Sequence, residues 1–132
     1  MQIKCILNRV QKFQSFVYKS ARLIEEADVV VLLVDIIARA NSWLICSTCG
    51  RSCRGYDTLK ARRFEFVPIW GIKVFFIYVM RRCDCPDCGV VVEAVPWAEG
   101  KQQLTKTYAW FLAGWAKRMS WKEVARSFKT TW

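Results

Sequence analysis

The chain has 132 residues, of which 54% are hydrophobic, and a formal net charge of +10. This length allows one modest core or two very small units, and the hydrophobic fraction is too high for a disordered tail. The longest apolar runs, "VVVLLV" at 29–34 and "VFFIYVM" at 74–80, fall far short of the ~18–20 residues needed to cross a bilayer. We therefore expect a folded protein with no membrane span and no membrane partner.

The N-terminal residues 1–16 are interrupted by charge and lack an apolar stretch followed by a small-residue cleavage site, so they do not indicate export. We expect a cytoplasmic protein. In that reducing compartment, seven cysteines indicate a metal site rather than disulfides. The chain contains no histidine, so no imidazole base is present to activate a cysteine for catalysis.

Most of the chain before the second cysteine cluster is predicted to form strands. β-branched residues dominate 29–40, which favours a strand over a short buried helix, and the acidic "EEAD" separates this segment from the extended 15–24. The turn sequence "PIWG", with Pro68 and Gly71, joins two apolar runs within 61–82 and indicates an antiparallel hairpin. A third short run, "VVVEAVPW", follows the second cysteine cluster.

In the C-terminal part of the chain the hydrophobic period changes from two to about 3.6 residues, which predicts a helix beginning near Thr105. In "SWKE", Ser120 and Glu123 have the spacing of a capping box and predict the start of a second helix. Thr130 or Thr131 is placed to cap a third helix. We expect the apolar stripe of the first two helices to be core; it consists of Tyr108, Phe111, Leu112, Trp115, Ala116, Met119, Trp121, Val124, Ala125 and Phe128.

Two C-x-x-C-G units, "CSTCG" at 46–50 and "CPDCG" at 85–89, are the strongest motif in the chain. The two-residue gap lets both sulfurs of a pair face one ion, and the glycine permits a tight turn that brings amide N–H groups near the thiolates. The pattern predicts one structural Zn²⁺, with the ligands Cys46, Cys49, Cys85 and Cys88. Cys5, Cys53 and Cys83 are expected to be bystanders, although Cys83 shares a strand face with Cys85 and Cys53 lies in a basic loop with Arg51 and Arg54.

Two alternatives for these thiols remain open. The paired turns resemble those of rubredoxin, a small iron electron carrier, and the aromatic Tyr56 after the first pair adds to that resemblance. An iron protein of this kind would be red, whereas the zinc protein would be colourless. The other alternative is a set of buried or free cysteines that bind no metal.

The C-terminal residues 101–132 hold seven basic residues and one acidic residue, a net charge of +6. Two short helices joined by a turn and surrounded by cations are typical of the first part of a helix-turn-helix domain whose cations contact DNA phosphates. The predicted DNA-binding cations are Lys117, Arg118, Lys122, Arg126 and Lys129. The alternative is a plain helical hairpin with a solvated basic face.

Four segments together resemble the N-terminal part of bacterial insertion-sequence transposases of the IS-L-three group: "CSTCG", "YDTLKARRFEFVPIWGIKVFFIYVMRRCDCPDCG", "VPWAEGKQQLTKTYAWFLAGWAKR" and "SWKEVARSF". The resemblance implies an α+β fold, in which a small antiparallel β zinc ribbon with N-terminal strands (1–100) precedes an incomplete helix-turn-helix (101–132). The family's metal ligands fall on the four cysteines of the two C-x-x-C-G units. Cys53 and Cys83 occupy positions that are not cysteines in the usual pattern.

The resemblance also implies a function. In this family the zinc ribbon and the helix-turn-helix are thought to recognise the terminal inverted repeats of the element, which predicts DNA in the bacterial nucleoid as the partner, with full-length transposase as a further one. The family's RNase-H-like catalytic domain carries three acidic metal ligands, and none of the 11 Asp and Glu residues here resembles that constellation. We therefore expect a truncated transposase that is not an enzyme and has no small-molecule substrate.

Overall fold

Two long strands, β4 (Ser52–Ile69) and β5 (Ile72–Cys85), form the hairpin around which the rest of the chain is arranged. The computed structural model describes residues 3–130. Within them the fold is α+β, with a mostly antiparallel open sheet and three short helices. The other elements are α1 (Ile3–Val10), β1 (Phe16–Glu26), β2 (Val29–Ala38), β3 (Leu44–Ile45), β6 (Gly89–Val92), α2 (Lys106–Trp115) and α3 (Trp121–Phe128).

The sheet order is β1-β2-β5-β4-β3, and β6 also pairs with β5. Strand β5 is long enough to offer the same edge to two partners. Its first half pairs with β2, from Lys73 to Ile77, and its last residues pair with β6, from Arg82 to Cys85. The β2–β5 pair is parallel, whereas the other strand pairs are antiparallel. The β4–β5 hairpin therefore passes through two different surroundings.

An aromatic core packs against the half of the hairpin that adjoins β2. Trp97 lies within it and is only 2% exposed, and its ring meets those of Phe16, Phe64 and Tyr78 edge to face at centroid distances of 5.0, 5.7 and 5.2 Å. Aromatic pairs of this geometry contribute about 0.5–1.5 kcal/mol beyond the area that they bury. Helix α1 adds the buried side chain of Leu7. The N-terminal elements and the hairpin therefore share one core.

The two C-terminal helices pack on each other and on β4. The Thr105 hydroxyl caps α2 by accepting from the backbone N–H of Tyr108 (3.2 Å). Ser120 and Glu123 form the capping box of α3, with both of its hydrogen bonds present. The buried residues of this cluster are Leu104, Tyr108, Leu112 and Val124, and Val67 of β4 packs against them. The shared cluster therefore packs the helical pair against β4.

Hydrogen bonds to β4 also fasten the segment before α2. The guanidinium of Arg62 donates to the carbonyl oxygens of Gly100 (2.9 Å) and Gln102 (2.6 Å). The backbone N–H of Thr105 donates to the carbonyl of Glu65 (2.9 Å). Because β4 makes these contacts, the start of α2 is held against the sheet.

The structure confirms the strands predicted from the sequence and the "PIWG" hairpin. It also confirms the two predicted C-terminal helices, which are α2 and α3, and α2 begins directly after Thr105. The turn between β1 and β2 falls at Ala27 and Asp28, within the predicted "EEAD". The third helix predicted to follow Thr130 or Thr131 lies outside the described residues. None of the helices in residues 3–130 has the length and hydrophobicity that a membrane crossing requires.

Several expectations were wrong. The N-terminal strands do not merely flank a small antiparallel ribbon, because β2 pairs in parallel with β5 and joins one six-stranded sheet. Cys53 lies in β4 and is buried, not in a basic loop, because β4 begins at Ser52. Trp115 and Trp121 are 41% and 56% exposed, not core: α2 ends at Trp115 and Val124 fills the interior. Helix α1 was not predicted, since its short segment has no capping motif.

Candidate metal centre

The end of the β4–β5 hairpin opposite its turn is closed into a ring of short strand segments. Strand β3 pairs with β4, β4 with β5, and β5 with β6. The ring closes where Cys46 bridges Glu93 and where the backbone N–H of Ala94 donates to the carbonyl of Ile45 (2.8 Å). The two C-x-x-C-G turns form the β3–β4 and β5–β6 connections. Closure of the ring therefore brings the two turns together.

The first of these turns, residues 46–50, directs backbone donors at a sulfur atom. The N–H of Cys46 donates to the carbonyl of Arg51, and the N–H of Gly50 donates to the carbonyl of Cys46, both at 2.9 Å. Gly50 has a φ of 76°, a left-handed conformation that glycine adopts without steric cost. In this turn the backbone N–H groups of Cys49 and Thr48 face the Cys46 sulfur and lower the pKa of that thiol. The sequence prediction that the glycine permits such a turn is confirmed.

The second turn has the same form. Gly89 has a φ of 80° and pairs with Cys85 where β5 meets β6. An ion pair joins the two turns, with Arg51 Nη1 lying 2.6 Å from Asp87 Oδ2. Both side chains are mostly exposed, and an ion pair of this kind contributes only about 0–1 kcal/mol. This salt bridge orients the turns but does not hold them together alone.

The four cysteines that the sequence singled out converge at this point. The sulfur atoms of Cys46, Cys49, Cys85 and Cys88 all lie within 4.8 Å of one another, and those of Cys49 and Cys85 are 3.6 Å apart. Zn–S bonds of about 2.3 Å in a tetrahedron place the sulfurs about 3.8 Å apart. The donor atoms and their spacing therefore fit one soft metal ion.

Three of the four thiols have shifted pKa values, and the shifts differ in direction. The backbone N–H of Cys49 makes the largest contribution to lowering the pKa of Cys46, which falls to about 6. For Cys49 itself, the N–H of Arg51 lowers the pKa, but burial and the Cys85 thiol raise it above its usual value. Burial, then contacts with neighbouring thiols, raises the pKa of Cys88 to about 12. Burial and the neighbouring thiols thus oppose ionisation of Cys49 and Cys88, and a bound cation would offset that cost.

Two further cysteines are buried beside the four converging thiols but are not among them. Cys53 is 4% exposed and Cys83 is fully buried, and both pack with Leu44. Burial, followed by the neighbouring Cys53 thiol, raises the pKa of Cys83 to about 12. Cys83 is therefore a neutral, apolar side chain at physiological pH. Cys5 is exposed on α1.

A buried carboxylate that was not predicted from the sequence adjoins the four thiols. Glu93 forms an isolated backbone β-bridge with Cys46, and the residue is only 3% exposed. Its carboxylate accepts from the Tyr78 hydroxyl (2.7 Å), from the Arg81 Nε and Nη2 (both 2.9 Å) and from the Arg81 backbone N–H (3.0 Å). The bond to Glu93 raises the pKa of Arg81. One acid inside the apolar run "VVVEAV" was the available signal, because a buried charge needs a partner.

The five predicted DNA-binding cations lie on the surface of the helical pair. Lys117 and Arg118 are in the turn after α2, Lys122 and Arg126 are in α3, and Lys129 is its left-handed C-cap. All five are exposed, and none forms an ion pair with a carboxylate of residues 3–130. Many cations of the sheet, in contrast, are paired: Arg22, Arg51, Arg63, Lys73, Arg81 and Arg82. The helical pair thus holds five of the fourteen cations of residues 3–130 that form no ion pair, and these five lie close together in the sequence, within residues 117–129.

Comparison with known proteins gives no match: no family model, no curated protein and no solved structure is significantly similar to this chain. The class of site is therefore defined by its geometry. It is a cluster of four thiols that can hold a metal ion, in an α+β fold that also presents a basic helical pair.

Proposed function

We propose that this chain is the DNA-binding N-terminal part of a transposase of the IS-L-three group, and that it recognises the terminal inverted repeats of its element. The observation that carries this proposal is the set of exposed, unpaired cations on the α2–α3 pair, in a chain with a net charge of +10. Nucleic acid is the polyanion that such a surface fits best. The proposed location is the bacterial cytoplasm, on the nucleoid.

In this proposal the four thiolates hold one Zn²⁺, which completes a zinc ribbon and has a structural role. Four protein ligands around a tetrahedral ion leave no coordination position for water. Four thiolates on Zn²⁺ carry a local charge of −2, so the chain's formal charge of +10 falls only to about +8. The metal therefore stabilises the ring of strands without removing the attraction for phosphate.

The α2–α3 pair supplies the first two helices of a helix-turn-helix in this proposal. Lys122 and Arg126 have the spacing i, i+4, which places them on one side of α3, and Lys129 follows at its C-cap. Val124, on the opposite side, is fully buried against α2. One face of α3 is thus fixed in the protein, and the cationic face is left to follow a phosphate backbone.

We propose no catalytic role for this chain. The group of potential metal ligands found among residues 3–130 consists of four cysteines, not of the three acidic residues that the family's catalytic domain carries. A full-length transposase of the same element is a second proposed partner. Trp110 on α2, which is 79% exposed, offers an apolar contact for it.

A titration with metal analysis tests the DNA-binding proposal. The purified protein should be colourless with about one Zn²⁺ per chain, and the logarithm of its affinity for a labelled DNA duplex should fall linearly with the logarithm of salt concentration. Replacing Lys122 and Arg126 together by Gln should reduce the magnitude of that salt slope by about 1.8, because each phosphate contact contributes about 0.9. The matched control replaces Arg54 and Lys60, which are exposed and unpaired on β4.

Each contrary result has its own meaning. Equal losses in the two double variants would show that binding depends on total charge and would contradict the role of α3. A folded, zinc-containing protein with no affinity for duplex DNA at low salt would contradict the DNA-binding proposal. A red protein that contains iron would instead support the rubredoxin-like electron carrier.

A further inference from the structure

The turn at the tip of the β4–β5 hairpin contains a residue poorly suited to its backbone conformation. Ile69 pairs with Ile72, so only Trp70 and Gly71 form the turn. Their φ values are 51° and 75°, which are those of a type I′ turn, where Asn-Gly is the favoured sequence. Gly71 meets this requirement, whereas Trp70 has a bulky side chain at a left-handed position.

Burial does not explain this choice of residue. A left-handed conformation is sterically unfavourable for a residue with a Cβ atom. The Trp70 side chain is 84% exposed, so hydrophobic contact within the described chain offsets little of that cost. Strained and exposed residues of this kind are concentrated at functional sites. An indole held out into solvent on a rigid two-residue turn is suited to contact a partner.

The hairpin tip lies next to the end of the proposed DNA-binding helix. The Nζ of Lys73, three residues after Trp70, donates to the carbonyl of Lys129 at the C-cap of α3. The Thr130 hydroxyl, one residue further on, donates to Glu65 of β4 (2.9 Å). Lys73 is the second residue of β5, so its bond ties the hairpin near the tip to the end of α3 that carries Arg126 and Lys129, whereas Glu65 makes its bond further along β4. A duplex held by those cations would therefore come within reach of the hairpin tip.

We propose that Trp70 is a DNA contact, an apolar wedge that enters a groove of the duplex beside the backbone held by α3. This inference rests on the proposed DNA-binding function and adds a second, uncharged contact to it. Flat apolar side chains that enter a groove pack against sugars and base edges, and they are used in this way to widen or kink DNA. The fixed turn presents the indole without the entropy loss of ordering a flexible loop.

The test uses a substitution whose two expected effects have opposite signs. Trp70→Asn places the favoured residue in the turn, so the Tm of the zinc-loaded protein should rise by about 2–4 °C. The affinity for a labelled mixed-sequence duplex should fall about tenfold, the size expected for the loss of one aromatic contact. The salt slope should not change, because the indole carries no charge.

Two controls separate the turn from the side chain. The β1–β2 turn has Ala27 at the equivalent position, with a φ of 49°. Ala27→Asn should therefore also raise the Tm, but it should leave DNA affinity within about twofold of the wild type. Trp70→Phe keeps both the strain and an aromatic ring, so the Tm should stay the same and affinity should fall by no more than about threefold.

The possible results distinguish the inference from the function on which it rests. Salt-sensitive binding by the wild type with unchanged affinity in Trp70→Asn would overturn the inference and leave the proposed function standing. A lower Tm for Trp70→Asn would show that the indole stabilises the fold, which also overturns it. A wild type that does not bind the duplex would remove both.

Discussion

The β4–β5 hairpin passes through two regions that are stabilised in different ways. The aromatic region is the group of sixteen buried residues around Trp97, where β1 and β2 extend the sheet. The thiol region is the other end, where β3 and β6 flank the hairpin, and its buried residues are Leu44, Cys46, Cys53, Cys83 and Cys85. Four of those five are cysteines, so the same two strands have an aromatic interior at one end and a sulfur-rich interior at the other.

This difference shows where the hydrophobic effect suffices and where it does not. Full burial of a large apolar side chain contributes about 1.5–3 kcal/mol, so the many such residues of the aromatic region can offset the entropy of ordering their strands. The thiol region buries few large side chains and contains two tight turns that must also be ordered. The four thiols of this region can hold a metal ion, and we expect the folding of the region to depend on bonds between thiolates and that ion.

Glu93 joins the two regions. Its backbone bridges Cys46 in the thiol region, and its carboxylate accepts a hydrogen bond from Tyr78, whose ring contacts Trp97 in the aromatic region. Burial, and then this hydrogen bond, raises the pKa of Tyr78 above its usual value. The two regions are thus in contact through a buried charge. Whether one region can unfold while the other stays folded can be measured.

Metal removal has the largest expected effect and separates the regions most clearly. A chelator removes a binding free energy of about 10–16 kcal/mol, as in small zinc peptides, so the thiol region should unfold while the aromatic region stays folded. Hydrogen exchange should become fast for β3 and β6 and remain slow for β2 and for the β5 residues Val74–Tyr78. Mass spectrometry of the exchanged protein measures this.

Substitutions provide the control for that experiment. Cys85→Ser should reproduce the exchange pattern of the chelated protein without any chelator. Cys5→Ser changes an exposed thiol on α1 and should keep the metal and the wild-type pattern. Fast exchange in β2 after chelation would show that the two regions form one cooperative unit, and unchanged exchange everywhere would show that the thiols need no metal.

Trp97→Ala is the converse experiment and has the next largest expected effect. It removes the ring that Phe16, Phe64 and Tyr78 surround, and it should cost about 3–5 kcal/mol of stability because a large cavity remains. The metal content should stay at about one ion per chain, because the four proposed ligands lie outside the aromatic region. Denaturant unfolding followed by metal analysis measures both quantities.

Trp110→Ala is the matched control, since that indole is 79% exposed and its loss should change stability by no more than about 0.5 kcal/mol. Loss of metal from Trp97→Ala would mean that the aromatic region positions the thiols. In that case the contrast between the regions would hold for their composition but not for their folding.

The parts of this structure that the sequence predicted are those with local signals. The "PIWG" turn, the Ser120–Glu123 capping box and the C-x-x-C-G spacing each describe a few adjacent residues, and each gave the correct local structure. A turn or a cap is decided by its own φ values and hydrogen bonds, so the sequence around it contains most of the information.

The parts that the sequence missed depend on distant residues. The parallel pairing of β2 with β5 joins Val31 to Lys73, and nothing in either segment specifies the other. Glu93 is understood only with Arg81 and Tyr78 beside it. Trp97 lies in a loop without hydrophobic periodicity, so its burial could not be predicted from the sequence. Trp110 could not be assigned either. In the structure Trp97 is buried and Trp110 is exposed.

Cys83→Ser has the smallest expected effect and defines which thiols hold the metal. Cys83 is fully buried, and its pKa of about 12 keeps it neutral, so we expect it to pack as an apolar side chain. A serine hydroxyl without a partner should cost about 1–3 kcal/mol there, lowering the Tm while the metal content stays at one ion per chain. Cys85→Ser, two residues away on the same strand, should instead lose the metal. If both variants lose it, Cys83 belongs among the ligands, and the thiol region is a larger metal cluster than the four converging sulfurs indicate.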